Sequence, residues 1–252
     1  MATLILLQCK STRADKNPDL ECMDSYKDPY LETVKDSLRY LIPLLNTVYR
    51  NDQQYRSTSN KQLFTENRAR QQKLDARNVK IITRVLDNHG WLSREDVGEV
   101  GARAINAVMI HAPRGVKIKY YLVMIDALRN GKTDPQSVAL FEDKLNLALG
   151  RRQHYGSQVI TYEGKSTLWP VTDIAGLEAR RREIRLLPID TYIHLFANPD
   201  SGLQLYNTRY EQLARSVNLN DSMPVHTDLR QIVDSLATAR RGNTGSKSKT
   251  KD

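Results

Sequence analysis

Residues 134–158 read DPQSVALFEDKLNLALGRRQHYGSQ, and the period of the sequence changes inside them. Asp134 and Pro135 supply an N-cap side chain and a proline at the first helical position, where its missing N–H costs nothing. Gln136 to Leu149 then carries apolar residues nearly all round (Val138, Ala139, Leu140, Phe141, Leu145, Leu147, Leu149). That distribution predicts a buried helix, stopped at Gly150 and interrupted only by Glu142 and Asp143. Beyond Gly150 the helical spacing is lost. Tyr155 to Tyr162 and Ser166 to Val171 are rich in β-prone residues and flank Glu163-Gly164-Lys165, which predicts a hairpin. The expected fold is mainly α, a multi-helix single-core domain with a small β-hairpin insert near residues 155–171.

Working outward, helical spacing recurs on both sides. Leu31, Val34, Leu38, Leu41, Leu45 and Val48 predict a helix from Pro29 to about Tyr55 with a kink at Pro43, and residues 51–60 read as a polar loop or weak extension. Lys61 to His89 reads as one long helix ended by Gly90, and Glu95 to Ala112 as another stopped by Pro113. Val116 to Arg129 forms the next and is closed by Asn130-Gly131. Beyond the hairpin, helices are expected at Ile174 to Leu187, Asp190 to Phe196, Tyr206 to Val217 and Asp228 to Arg240. The organisation drawn from this is a signal- or tether-like segment (1–25), an N-terminal helix and linker (26–60), a core helical domain (61–196), a C-terminal helical extension (197–241) and a disordered basic tail (242–252).

Composition removes several function classes. The chain has 252 residues, 27% charged and 40% apolar, with a formal charge of +9. The positive charge is scattered over the tail, Arg151-Arg152 and Arg180-Arg181-Arg182, without the spacing of a zinc finger, RNA-recognition motif or basic zipper, so nucleic acid is not the expected partner. Two cysteines make no disulfide framework, and five histidines lack the spacing of a zinc hydrolase, so no metal or cofactor is expected. No apolar run reaches the roughly 18 residues of a spanning helix. The start, MATLILLQC, is apolar up to Cys9 and resembles the end of a lipoprotein signal, although it is short and lacks a basic n-region. The expected location is the cell envelope, with Cys9 lipidated and the following residues a tether. The alternative is a cytoplasmic chain with a frayed N-terminus.

Polar residues on apolar helix faces mark the candidate site. At about 100° per residue, Gln71, Asp75 and Asn78 fall inside the arc of Leu74, Ile81, Ile82, Val85 and Leu86. A carboxylate facing a core is costly unless paired, so either Asp75 has a buried partner or that end of the helix lines a cleft. His111 shares a face with Val100, Ala104, Ala107 and Val108, whose small side chains permit close approach. A histidine so placed is either a satisfied core residue or an acid–base group. The loop after Gly150 offers two carboxamides, Gln153 and Gln158, that suit a neutral polar ligand or a backbone. Its alternative role is to fix the helix-to-hairpin corner.

The order Asp75-x-x-Asn78, Gly90-Trp91, Val97-Gly98, His111-Ala112, Asp143-Lys144, Gly150-x-x-Gln153-x-Tyr155-Gly156-Ser157-Gln158, then Pro170, Asp173 and Arg181, resembles the bacterial domain of unknown function 6624 family. The resemblance runs from about Leu74 to Tyr192, and Q-x-Y-G-[ST]-Q is its most specific part. Three positions depart from the pattern: Ile110 stands where the family has glutamine, Lys144 where it has arginine and Ser157 where it has threonine. Members often look exported or lipid-anchored, in agreement with Cys9, and the resemblance implies no activity. It adds Arg181 to the ligand-binding set. Two functions are expected of such a chain. In one, His111 is a general base or acid oriented by Asp143 or Asp75, in a metal-independent hydrolase or transferase whose polar substrate is held by Asn78, Gln153, Tyr155, Gln158 and Arg181. In the other, the same cleft is a non-catalytic binding or scaffold module for a peptide, glycan or other envelope component. The residues leave oligomeric state open.

Overall fold

The computed structural model describes residues 26–56 and 61–217 together with Leu219 and Thr238; of residues 61–66 only the backbone is described. The expectations for Cys9, the N-terminal tether, the helix at 228–240 (Thr238 apart) and the basic tail lie outside the described residues. Among the described residues, two strands and a majority of helices make the chain mainly α, with the hairpin where the change of period put it. The chain divides at Pro113/Arg114 into two compact units, where the sequence reading drew a single core.

The first unit is built on three helices: α1 (Leu41–Gln53), α2 (Lys61–His89) and α3 (Arg94–His111). Each packs on the other two. Leu41, Leu45 and Val48 of α1, Ile82 and Val85 of α2, and Ala104, Ile105 and Val108 of α3 are all buried. The helix expected from Pro29 instead begins at Leu41, after turns and a short 3-10 segment, Asp36–Leu38. Pro43 therefore falls in the first turn, where a proline leaves no broken hydrogen bond, and it makes no kink.

The bend lies in α3, at Gly98, whose φ of 79° and ψ of 165° are not helical. Asp28 fills the gap: its Oδ2 accepts hydrogen bonds from the amides of Glu99 (2.7 Å) and Val100 (3.4 Å), capping the resumed helix. A Cβ at Gly98 would stand 2.6 Å from that oxygen, so position 98 requires glycine both for its φ and for its space. The N-terminal segment is thereby pinned to α3.

The second unit opens with α4 (Arg114–Arg129) and α5 (Pro135–Ala148), which pack on each other across a short connection. Asp134 caps α5 as its position predicts, accepting from the Ser137 amide at 2.7 Å. Strands β1 (Val159–Tyr162) and β2 (Lys165–Leu168) pair antiparallel, with Tyr162 opposite Lys165. Glu163 (φ 47°) and Gly164 (φ 76°) form the two-residue turn with positive φ at both positions that matches strand twist. Three helices follow: α6 (Leu177–Glu183), α7 (Ile189–Ile193) and α8 (Gly202–Ser216). Leu168, Val171, Leu177, Ile189, Ile193, Tyr206 and Tyr210 make the core beneath the hairpin. Among the described residues no helix is long and apolar enough to cross a membrane.

Candidate acid–base site

The first unit carries a polar cluster where its three helices meet. Asp52, near the end of α1, is 1% exposed, and a carboxylate so far from water must be compensated by charge and hydrogen bonds. His111, the last residue of α3, places Nδ1 3.0 Å from Asp52 Oδ1 and 3.2 Å from Oδ2. Arg56 donates from Nε to Oδ2 (3.2 Å) and from Nη2 to Oδ1 (3.1 Å), the fork geometry that suits a carboxylate. The Gln53 side chain adds a donation to Oδ2 at 2.8 Å. Burial works to raise the Asp52 carboxyl, but the His111 hydrogen bond and charge, together with the Arg56 guanidinium, hold it below the ordinary carboxylate range.

Arg56 also bridges to α2, donating to Asp75 Oδ1 at 2.6 Å, and Gln71 Nε2 donates to the same oxygen at 2.7 Å. The inward carboxylate of the long helix thus has its partners. Gln71 is tied in turn to α1, through the Asn51 carbonyl and the Tyr55 amide. Asn78 is fully buried, donates to the Val48 carbonyl at 3.3 Å and has no hydrogen-bond partner for Oδ1, so it belongs to the helix packing beneath the cluster. Above the buried Asp52, the side chains of His111, Asp75 and Arg56 are 20%, 24% and 25% exposed.

The carboxylate hydrogen-bonded to His111 Nδ1 is Asp52, while Asp75 pairs with Arg56 and Gln71. The reason is packing: α1 lies directly on α3, which brings position 52 to the C-terminal end of that helix. Sequence reading missed Asp52 and Arg56 because both fall in the polar stretch read as a loop or weak helical extension. A signal was present, since Leu41, Leu45, Val48 and Asp52 follow one another at helical spacing, so Asp52 is a polar residue on an apolar stripe like Asp75 and His111.

The remaining predicted residues lie in the second unit and form a different construction. Asp143 is fully buried in α5, and its Oδ1 accepts from the amides of His154 (2.7 Å) and Tyr155 (3.0 Å) while Oδ2 accepts from that of Ser157 (2.9 Å). Complete burial raises this carboxyl above its ordinary value, against the pull of those amides and of the Ser157 hydroxyl. Arg181, 1% exposed, serves the opposite side of the same loop, donating to the carbonyls of Tyr155 (2.6 Å), Gly156 (3.3 Å) and Leu187 (2.8 Å). Tyr192 lies 4.8 Å under its guanidinium and donates to the Ser157 carbonyl at 2.7 Å. Gln153 is also fully buried; its Nε2 donates to the carbonyls of Gln158 (3.0 Å) and Trp169 (2.7 Å) and its Oε1 accepts from the Gln158 amide (2.9 Å). Gln158 donates from its side chain to the Ser157 hydroxyl, at 2.9 Å. Gly156 has φ of 64°, and a Cβ there would stand 3.2 Å from Leu168 and 3.3 Å from Leu177, a tight fit.

The Q-x-Y-G-S-Q stretch is thus a backbone held from both sides, its amides by a carboxylate and its carbonyls by a guanidinium, a carboxamide and a phenol. The Ser157 hydroxyl adds a side-chain hydrogen bond to Asp143 beside the one from its own amide.

Two outcomes follow from these contacts. Replacing Asp143 with Ala strands two buried amides and one half-buried amide, and the second unit should lose about 3 kcal/mol, read as a lowered midpoint in urea unfolding; wild-type stability would show that the loop does not depend on the carboxylate. Asp52 contributes stability that is complete above the unfolded carboxylate value of about 4 and drains away as pH falls through its depressed folded value. The acid limb of thermal stability should therefore be shallower in Asp52→Asn than in wild type, and superimposable acid limbs would exclude the pairing described.

Comparison with known proteins gives one assignment. No curated protein and no solved structure matches the chain. The family model described as "Family of unknown function (DUF6624)" matches residues 48–205, well over half of the chain and a span that takes in both Asp52 and His111 as well as the clamped loop. This protein belongs to that family of unknown function.

Proposed function

We propose that Asp52 and His111 form the acid–base dyad of a metal-independent hydrolase or group-transfer enzyme acting on a small polar substrate. The observation that carries the reading is an imidazole whose Nδ1 is 3.0 Å from an ionised carboxylate, on a side chain that is still 20% exposed. An ionised carboxylate can only accept, so Nδ1 carries the proton it shares with Asp52. Proton transfer to and from substrate then belongs to Nε2, as in any dyad whose carboxylate orients the ring and stabilises the imidazolium. Arg56, which shares the Asp52 carboxylate with the ring, and Asp75, which is paired with Arg56, are partly exposed charged groups that a polar substrate can meet. With His111 protonated, the two carboxylates and two cations of the cluster balance, so the proton the ring takes up does not leave a net charge near the core.

A second reading has its own support. Arg56 ties both carboxylates, and Gln71 ties α2 to α1, so the cluster also has the form of an interhelical clasp. On that reading the chain is a non-catalytic module that binds a peptide, glycan or envelope component. The location we propose under either reading is the cell envelope, on the strength of the apolar stretch that ends at Cys9.

A panel of chromogenic esters, glycosides and phosphoesters separates the two. The enzyme reading predicts turnover of at least one class, reduced by on the order of 100-fold or more in His111→Gln and strongly reduced in Asp52→Asn, with both variants retaining a cooperative melt. Turnover that is absent, or is equal in wild type and His111→Gln, would overturn the catalytic reading in favour of the clasp.

A further inference from the structure

Helix α4 presents an outer face that no other element among the described residues covers. Ile118 is 53% exposed and Leu122 73% exposed, with Val123 at 38% beside them. Arg114 and Asp126, both exposed, extend the row at either end. The four positions Arg114, Ile118, Leu122 and Asp126 are each four residues apart, so they form one ridge that drifts by only about 40° per step. Read along the helix, the ridge is cation, apolar, apolar, anion.

That order is self-complementary when reversed. We propose that α4 pairs with α4 of a second copy of this chain, antiparallel, along the ridge Arg114–Ile118–Leu122–Asp126. In that register Ile118 meets Leu122 of the second copy, and Arg114 meets its Asp126, each contact occurring twice about a two-fold axis, as an isologous interface requires. Ridges of four-residue spacing packing on each other give the commonest helix-crossing geometry in globular proteins, at an angle of about −50°. The charges supply an independent reason. Arg114 opens α4 and Asp126 lies in its last turn, and the helix has no acidic residue in its first turn. Both charges therefore oppose the helix dipole of their own chain, an arrangement that an isolated helix disfavours and an antiparallel partner corrects. Among the described residues the Asp126 carboxylate receives the Asn130 side chain, at 3.2 Å, and this leaves acceptor capacity for a guanidinium.

One helix face buries little area, so the dimer is expected to be weak, with a dissociation constant on the order of 1–100 μM. Sedimentation equilibrium of the full chain tests it. Wild type should self-associate in that range, and Leu122→Glu should be monomeric. Arg114→Asp and Asp126→Arg each place like charges face to face and should weaken association about tenfold or more. An equimolar mixture of those two variants restores opposite charges at both ends and should associate more tightly than either variant alone. Both charge changes agree with the helix dipole, so the variants should fold, which circular dichroism verifies. A wild-type chain that stays monomeric throughout, a dimer that survives Leu122→Glu, or a mixture no tighter than its components would each overturn the proposal.

Discussion

A buried carboxylate at position 52 sets the terms on which the first unit is assembled. Taken out of water it is tolerable only while a cation and hydrogen-bond donors stay against it, and these come from Arg56 just beyond α1 and from His111 at the end of α3. Through Arg56 and Gln71 the same requirement reaches Asp75 on α2. Three helices are thus fixed relative to one another by the need to keep one oxygen pair compensated. The apolar stripes of those helices supply the burial; the polar cluster at their meeting point selects the register.

The second unit meets the same electrostatic problem with different materials. Asp143 is as deeply buried as Asp52, yet it is met chiefly by backbone amides, and its loop is closed on the other side by Arg181, Tyr192 and Gln153. Amides carry no titratable proton, so such a carboxylate can hold a chain in place but has no acid–base partner in that construction. Asp52 faces an imidazole on a partly exposed side chain. That chemical contrast assigns the architecture of the helix-to-hairpin corner to one cluster, and it is the ground on which we propose the other as an acid–base pair.

How much of this was legible in the sequence follows from what each feature depends on. The ends of α2 and α4 at Gly90 and Gly131, the cap at Asp134 and the hairpin around Gly164 are local, decided by φ and by orphaned backbone groups, and the residues announce them. The start of α1 was misplaced because Leu31, Val34 and Leu38 keep helical phase through a segment that forms turns. The Gly98 bend was missed because its cause, Asp28, lies seventy residues away. Asp75, His111, Asp143 and Gln153 were visible as polar residues in apolar or special settings. Their partners were not, because a hydrogen-bond partner across helices is a property of tertiary packing, and a carboxamide that binds a ligand has the same letter as one that binds a carbonyl.

The direct measurement of the account is the protonation pattern of the His111 ring by nitrogen-15 NMR across a pH titration, in wild type and in Asp52→Asn. The pairing with an ionised carboxylate predicts a neutral ring protonated at Nδ1, with Nε2 as the titrating nitrogen, and a changed tautomer balance when Asp52 loses its charge. A neutral ring protonated at Nε2, unchanged by the Asp52→Asn substitution, would contradict it.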